Sequence, residues 1–304
     1  MKRKKITVLL AATLAAALLA GCGGKKQAEE ENAAALQEQE TEPEAKAAEK
    51  ETEEAEKTED AAEPVTLHVF AAASMTETLE KIQEMYKEKE PAVSLAFSFD
   101  SSGTLKTQIQ EGADCDLFIS AAQKQMDQLD IEADPSANEE GLDFVEADSR
   151  VDLLENKAVL AVPEGNPAGI MSFEDLGTDK LTLLALGNED VPVGQYSVEI
   201  LNTMGILDKL EADNKITYGS NVKEVTTQVA ESTADAGIIY ATDAFSAGLD
   251  SVAEAGSDLC SPAIYPAAVM KESAHPAEAQ AFLDYLQTDA CMEVFEEVGF
   301  QRVK

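Results

Sequence analysis

The sequence predicts an α/β protein of two lobes, each a mainly parallel sheet flanked by helices, and three observations carry that expectation. From Val65 onward, apolar runs of strand length alternate with stretches of helical period almost without interruption. A second strand–helix series with its own apolar positions follows from about residue 151. The last helices then carry Phe282, Leu283 and Leu286, and Met292, Phe295 and Val298, as helices that return to pack on an existing sheet do. The expected division is a first lobe of about 65–150 plus 262–304 and a second of about 151–261, joined by two crossings.

Taken in order, Val65 to Phe70 reads as a strand, Ala71 to Ala73 as a tight turn, and Ser74 with Glu77 as the capping box of a helix. That helix has Met75, Leu79, Ile82 and Met85 on one face and Glu77, Glu80, Lys81 and Glu84 on the other. Val93, Leu95, Phe97 and Phe99 alternate with small or polar residues at a strand's period of two. The turn Asp100-Ser101-Ser102-Gly103 opens a short helix through Leu105 and Ile109, Leu117-Phe118-Ile119 is a buried strand, and a helix covers Ala122 to Leu129. This βαβαβ order requires parallel pairing, because each crossover brings the chain back in the same direction. In the second series the strands are Ala158 to Val162, Leu181 to Leu186, Ile216 to Tyr218 and Ala236 to Tyr240. Helices follow Pro192-Val193-Gly194 and Asn221, the latter forming a second capping-box pattern with Glu224. Ala263 to Met270 is the last strand; Pro276 opens the penultimate helix and Gly299 ends the final one.

Composition restricts the partners. The formal charge is −36, from 59 Asp and Glu against 23 Lys and Arg. For Val65 to Lys304 it is −30, so long-range attraction to nucleic acid or anionic lipid is excluded. An anion could be held only by directed, local hydrogen bonds. At the N-terminus, Lys2, Arg3, Lys4 and Lys5 precede the apolar run Ile6 to Leu19 and Leu19-Ala20-Gly21-Cys22. The run is too short for a comfortable membrane span and ends in small residues. It resembles a bacterial lipoprotein lipobox, which implies a signal peptide over 1–21 and lipidation of Cys22. Residues 22–64 continue as an acidic tether with Leu36 as the one large aliphatic, too polar to offset the entropy of ordering. Cys115, Cys260 and Cys291 show no metal-ligand spacing. Cys260 with Cys291 is the one pair considered for a disulfide, three buried thiols being the alternative.

Several loops share one form: a strand ends, a small or polar residue follows, and a helix begins. They are Ala73-Ser74, Ser101-Ser102-Gly103, Pro192-Val193-Gly194 and Asn221-Val222. Each alone needs no meaning beyond helix capping. Together they lie at the carboxyl ends of parallel strands, where helix N-termini offer unpaired N–H groups to a ligand. Val69-Phe70-Ala71-Ala72-Ala73-Ser74, Ser101-Ser102-Gly103-Thr104-Leu105, Asp116-Leu117-Phe118-Ile119-Ser120-Ala121, Val191-Pro192-Val193-Gly194 and Gly237-Ile238-Ile239-Tyr240 occur in the order found in periplasmic molybdate-binding proteins. The similarity covers Val65 to Lys304, including Val298-Gly299-Phe300. The chain resembles the solute-binding subunit of a molybdate ABC importer.

That resemblance implies a type II periplasmic-binding fold with the ligand in the inter-lobe cleft, and a monomer that passes molybdate or tungstate to a membrane permease. It implies no cofactor, no enzymatic activity and no free metal cation. Ser74 and Ser102 would offer hydroxyl and backbone N–H groups, Val193 and Val222 backbone N–H groups, and Tyr240 its phenolic O–H. Gly103 departs from the serine frequent in the family, and Asn221 from an acidic residue. The location implied is the outer face of the cell membrane, anchored through Cys22. Sulfate or a small organic anion is the alternative ligand, and a tethered hydrolase the alternative class. For the hydrolase, His68 and His275 are the only histidines, and neither a G-x-S-x-G turn nor a phosphate loop is present. The acidic pairs Asp114 and Asp116, or Glu189 and Asp190, are the candidates for a divalent cation, with a solvated surface as the plainer reading.

Overall fold

A computed structural model describes residues 64–303. The segment with Cys22 and the acidic tether lies outside the described residues. The strands are β1 (Val65–Ala72), β2 (Val93–Asp100), β3 (Leu117–Ile119), β4 (Val151–Asn156), β5 (Ala158–Val162), β6 (Leu184–Gly187), β7 (Ile216–Gly219), β8 (Ala236–Tyr240), β9 (Asp250–Glu254), β10 (Ala263–Val269) and β11 (Gln301–Arg302). The helices are α1 (Thr76–Lys89), α2 (Ser102–Gln110), α3 (Gln123–Asp127), α4 (Pro192–Thr203), α5 (Leu207–Ala212), α6 (Val222–Ala230), α7 (Ala241–Ala247), α8 (Pro276–Leu286) and α9 (Asp289–Val298). No helix among the described residues is long and apolar enough to cross a membrane.

The strands form two sheets, in the orders β11-β4-β10-β3-β1-β2 and β7-β6-β8-β5-β9. Both are mixed, which corrects the mainly parallel expectation. β1 pairs parallel with β2 and β3, and β6 with β7 and β8, as the crossover helices require. The strands on either side of a crossing, β4, β5, β9 and β10, pair antiparallel because the chain arrives from the other lobe. β4 belongs to the first sheet, so the first crossing falls at Asn156–Ala158 rather than near residue 150. The chain returns between β9 and β10, and α8 and α9 rejoin the first lobe. Gly299 ends α9 at φ 110, a conformation that costs glycine little.

β1 shows how the first lobe is built. Leu67, Val69 and Ala71 point into the main core, and Phe70 into a second cluster on the opposite face with Leu105, Ile109, Phe118 and Met126. The strand's period of two thus feeds two layers of helix. Each fully buried side chain of this size contributes on the order of 1.5–3 kcal/mol relative to exposure. Cys115, Cys260 and Cys291 are free and buried, so Cys260 and Cys291 are not paired.

The register sets the strand ends level. β1 and β2 run in step from Val65↔Val93 to Ala72↔Asp100, and β6 and β7 from Leu184↔Ile216 to Gly187↔Gly219. The loops that follow therefore start from two short, aligned rows of carboxyl ends.

Candidate functional site

Ser74 does not cap a helix. A 3-10 turn, Ala73–Met75, separates β1 from α1, and α1 starts at Thr76 without a side-chain cap. The extra turn rotates Ser74 inward, where its Oγ lies 2.9 Å from Tyr265 Oη. Glu77, expected to complete the cap, instead places both carboxylate oxygens 2.8 Å from Lys223 Nζ on α6. At α2 the cap is Ser101, whose Oγ accepts the Thr104 N–H, which leaves Ser102 as the first helical residue. Ser102 Oγ accepts the Ala121 N–H at 2.9 Å. Asn221 caps α6 through the Glu224 N–H, while the Glu224 carboxylate takes the Ser220 N–H, one residue outside the expected box.

Ser74, Ser102, Val222 and Tyr240 line one cavity between the lobes, with Asp100, Ala121 and Val191 among its other walls. They come from the ends of β1, β2, β7 and β8. Val193 is the exception: Val191 and Pro192 line the cavity, and Val193 stands one residue behind them, fully buried as the second residue of α4. Ser102 and Val222 begin their helices, so all three helix-start N–H groups fall in a first turn that no intrahelical carbonyl serves. The partial positive charge of those helix ends favours an anion there.

The cavity volume is about 10 Å³, room for about one water, because the lobes are closed upon each other. The Gly103 N–H donates to the Asp190 carbonyl at 3.0 Å, Tyr240 Oη to the Ala121 carbonyl at 3.3 Å, and Asn221 Nδ2 to Asp100 Oδ1 at 3.3 Å. A Cβ on Gly103 would stand 2.3 Å from the Asp190 carbonyl oxygen, which accounts for glycine at this position. A larger hollow of about 590 Å³, walled by Lys124, Asn188, Gly194 and Tyr218 among others, shares none of the cavity's lining residues.

Asp100 in the cavity wall is held by hydrogen bonds from the Ser101 N–H and Asn221 Nδ2, while the charges just outside it are ion-paired. Lys223 ties Glu77 of the opposite lobe to Asp243 of its own, with Asp243 Oδ1 at 3.2 Å. Neither Asp243 oxygen has an aligned hydrogen-bond partner, and burial raises the carboxyl to about 6 despite the ammonium. Burial lowers the Lys223 pKa, but Asp243 and then Glu77 outweigh it, leaving the net shift upward. Sequence reasoning passed over Lys223, although a cation in a helix's first turn runs against the dipole and is itself a signal. Burial pushes the Tyr240 phenol well above its usual range, so it remains a donor.

The other candidates lie elsewhere. His68 is exposed on β1 and His275 precedes α8, and neither lines the cavity. Asp116 accepts the His68 N–H and the Ser273 hydroxyl, a clamp between segments of the first lobe. Glu189 and Asp190 are exposed. No group of three or more potential ligating side chains occurs among the described residues.

Residues 67–301 match the family model of the bacterial extracellular solute-binding proteins. The chain belongs to that family. Among its relatives, a putative ABC transporter substrate-binding lipoprotein of Bacillus subtilis, YvgL, is 37% identical over 243 residues, covering 79% of this chain and 88% of that protein. The molybdate-binding protein ModA of Haemophilus influenzae is 34% identical over 237 residues, 76% of this chain and 88% of its own. The substrate-binding domain of a putative molybdenum ABC transporter from Clostridium difficile superposes with a TM-score of 0.59 at 36% identity, covering 79% of this chain and all of that one. The family's two-lobed α/β fold is the one described above, and its members bind solutes outside the cytoplasm.

Proposed function

We propose that this protein captures molybdate, and tungstate as well, in the inter-lobe cavity and delivers it to the permease of an ABC importer. The observation that carries the reading is chemical. Hydroxyls of Ser74, Ser102 and Tyr240 and the helix-start N–H groups of Ser102, Val193 and Val222 form a set of donors from both lobes. A fully ionised tetrahedral oxyanion has only acceptors to offer. Each charge-assisted bond contributes about 1.5–3 kcal/mol before desolvation of the anion is counted. Val193 contributes through its backbone alone. The names of the relatives favour molybdate over sulfate within this class.

Binding proceeds by exchange in this reading. In the closed, anion-bound state Tyr240 Oη donates its hydrogen bond to the anion in place of the long bond to the Ala121 carbonyl. The protein acts as a monomer without a cofactor, tethered to the outer face of the membrane by lipid on Cys22. Calorimetry with molybdate, tungstate, sulfate and phosphate tests the ligand: heat with the first two is expected, and none with either sinks the reading. Cys22→Ser is expected to release the protein from the membrane fraction; unchanged anchoring refutes the lipid site.

A further inference from the structure

We propose that Tyr265, itself oriented by Asn156, is a positioning residue that holds the Ser74 hydroxyl proton toward the anion cavity. The inference rests on the oxyanion-binding reading and adds to it two residues that do not line the cavity.

Counting protons fixes the first link of the chain, and the proposed direction continues from it. Asn156 Oδ1 accepts the Lys157 N–H at 2.8 Å, which fixes the orientation of the amide. Asn156 Nδ2 must then donate, and it reaches Thr242 Oγ1 at 2.9 Å and Tyr265 Oη at 3.2 Å. Tyr265 Oη accepts that bond and keeps one proton to give, and the hydroxyl at hydrogen-bond distance from it is Ser74 Oγ at 2.9 Å. With Ser74 Oγ as the acceptor of that proton, its own hydroxyl proton turns away from Tyr265, toward the cavity that Ser74 lines. Burial of Tyr265 at 0% exposure raises its pKa well above the usual range, so the phenol keeps the proton on which the chain depends. The ring is wedged edge-on between Tyr240 and Phe300, at centroid distances of 5.7 and 5.3 Å, which limits rotation of the relay.

The same logic holds at Ser102, where the Ala121 N–H occupies Oγ and frees the hydroxyl proton. The Ser74 relay differs in its source. Asn156 ends β4 at the first crossing between lobes and touches Thr242 of the second lobe as well as Tyr265 of the first. The crossing strand thereby sets the polarity of a ligand-facing hydroxyl.

The test is a double-mutant cycle read by calorimetry with molybdate. Tyr265→Phe is expected to weaken binding about 5- to 10-fold, the scale of one freed rotor plus part of a hydrogen bond. In a Ser74→Ala background the same change is expected to leave affinity within about 2-fold, because the hydroxyl it orients is gone. A merely structural role gives an equal loss in both backgrounds and overturns the proposal. Asn156→Asp keeps the Lys157 contact but offers Tyr265 an acceptor, which reverses the chain and draws the Ser74 proton inward. Its affinity is expected to fall at least as far as that of Ser74→Ala. Undiminished affinity in Asn156→Asp overturns the relay even if Tyr265→Phe fails to fold. Loss of all heat from the unsubstituted protein overturns the molybdate reading and the relay together; heat there with additive losses overturns the relay alone.

Discussion

Gly103→Ala separates closure from folding. The new Cβ would lie 2.3 Å from the Asp190 carbonyl oxygen, whereas Cβ atoms essentially never come within 3.0 Å of a neighbour, so the lobes must part there by at least about 0.7 Å. That lengthens the 3.0 Å bond from the Gly103 N–H to Asp190 beyond hydrogen-bond range and stretches the 3.3 Å bond from Asn221 to Asp100. Losing the first costs about 0.5–1.5 kcal/mol, and the strain on the second brings the closed state to about 1–2 kcal/mol less stable. Molybdate affinity should fall roughly 5- to 30-fold, at about 1.4 kcal/mol per tenfold. Folding should not suffer. Gly103 lies in the first turn of α2, and alanine there favours helix by up to about 1 kcal/mol. The expected pair of results is weaker binding by calorimetry with an unchanged or raised melting temperature of the ligand-free protein. Unchanged affinity would refute the argument that the lobes meet at this glycine, and a lowered ligand-free melting temperature would show that alanine strains the lobe itself.

Three further outcomes are expected. Ser74→Ala and Tyr240→Phe should each weaken molybdate binding about 10- to 100-fold, from one charge-assisted bond apiece, and unchanged affinity in both would sink the site assignment. Asp243 is protonated in both states below about pH 4 and ionised in both above about 6; between these the folded protein binds the extra proton, so its contribution to stability falls as pH rises. Asp243→Asn should remove that slope: the gap between the two melting curves should change from pH 4 to 6 and level off above, and a constant gap refutes the assignment. Phe118→Ala, at a fully buried position in the second cluster of the first lobe, should cost about 3–5 kcal/mol in denaturant unfolding. A loss under about 1 kcal/mol would contradict the packing.

Much of the fold was legible because it is local. Strand period in Val93 to Phe99, helix period from Met75 to Met85, Pro276 opening α8 and Gly299 ending α9 depend on a few neighbouring residues each. What the sequence concealed has weaker local signals. β4, whose Asp152 and Glu155 interrupt its apolar run, has no strand pattern of its own in the sequence, so a division near residue 150 falls before the true crossing. β9 is mostly exposed, and α5 and α7 are under eight residues, too short to establish a period.

At the site, residue type and order by themselves determined which loops carry donors, because strand-to-helix turns rich in serine and asparagine leave N–H groups unpaired wherever they occur. Tertiary structure alone decided what each hydroxyl does. Ser74 has the same local pattern whether it caps its helix or not, and only the packing of Tyr265, 191 residues away, gives its hydroxyl a partner at 2.9 Å. The bonds of Lys223 to Glu77 and of Gly103 to Asp190 likewise span the two lobes. A hydrogen bond acts over about 3 Å, so its partner is chosen by packing rather than by proximity along the chain.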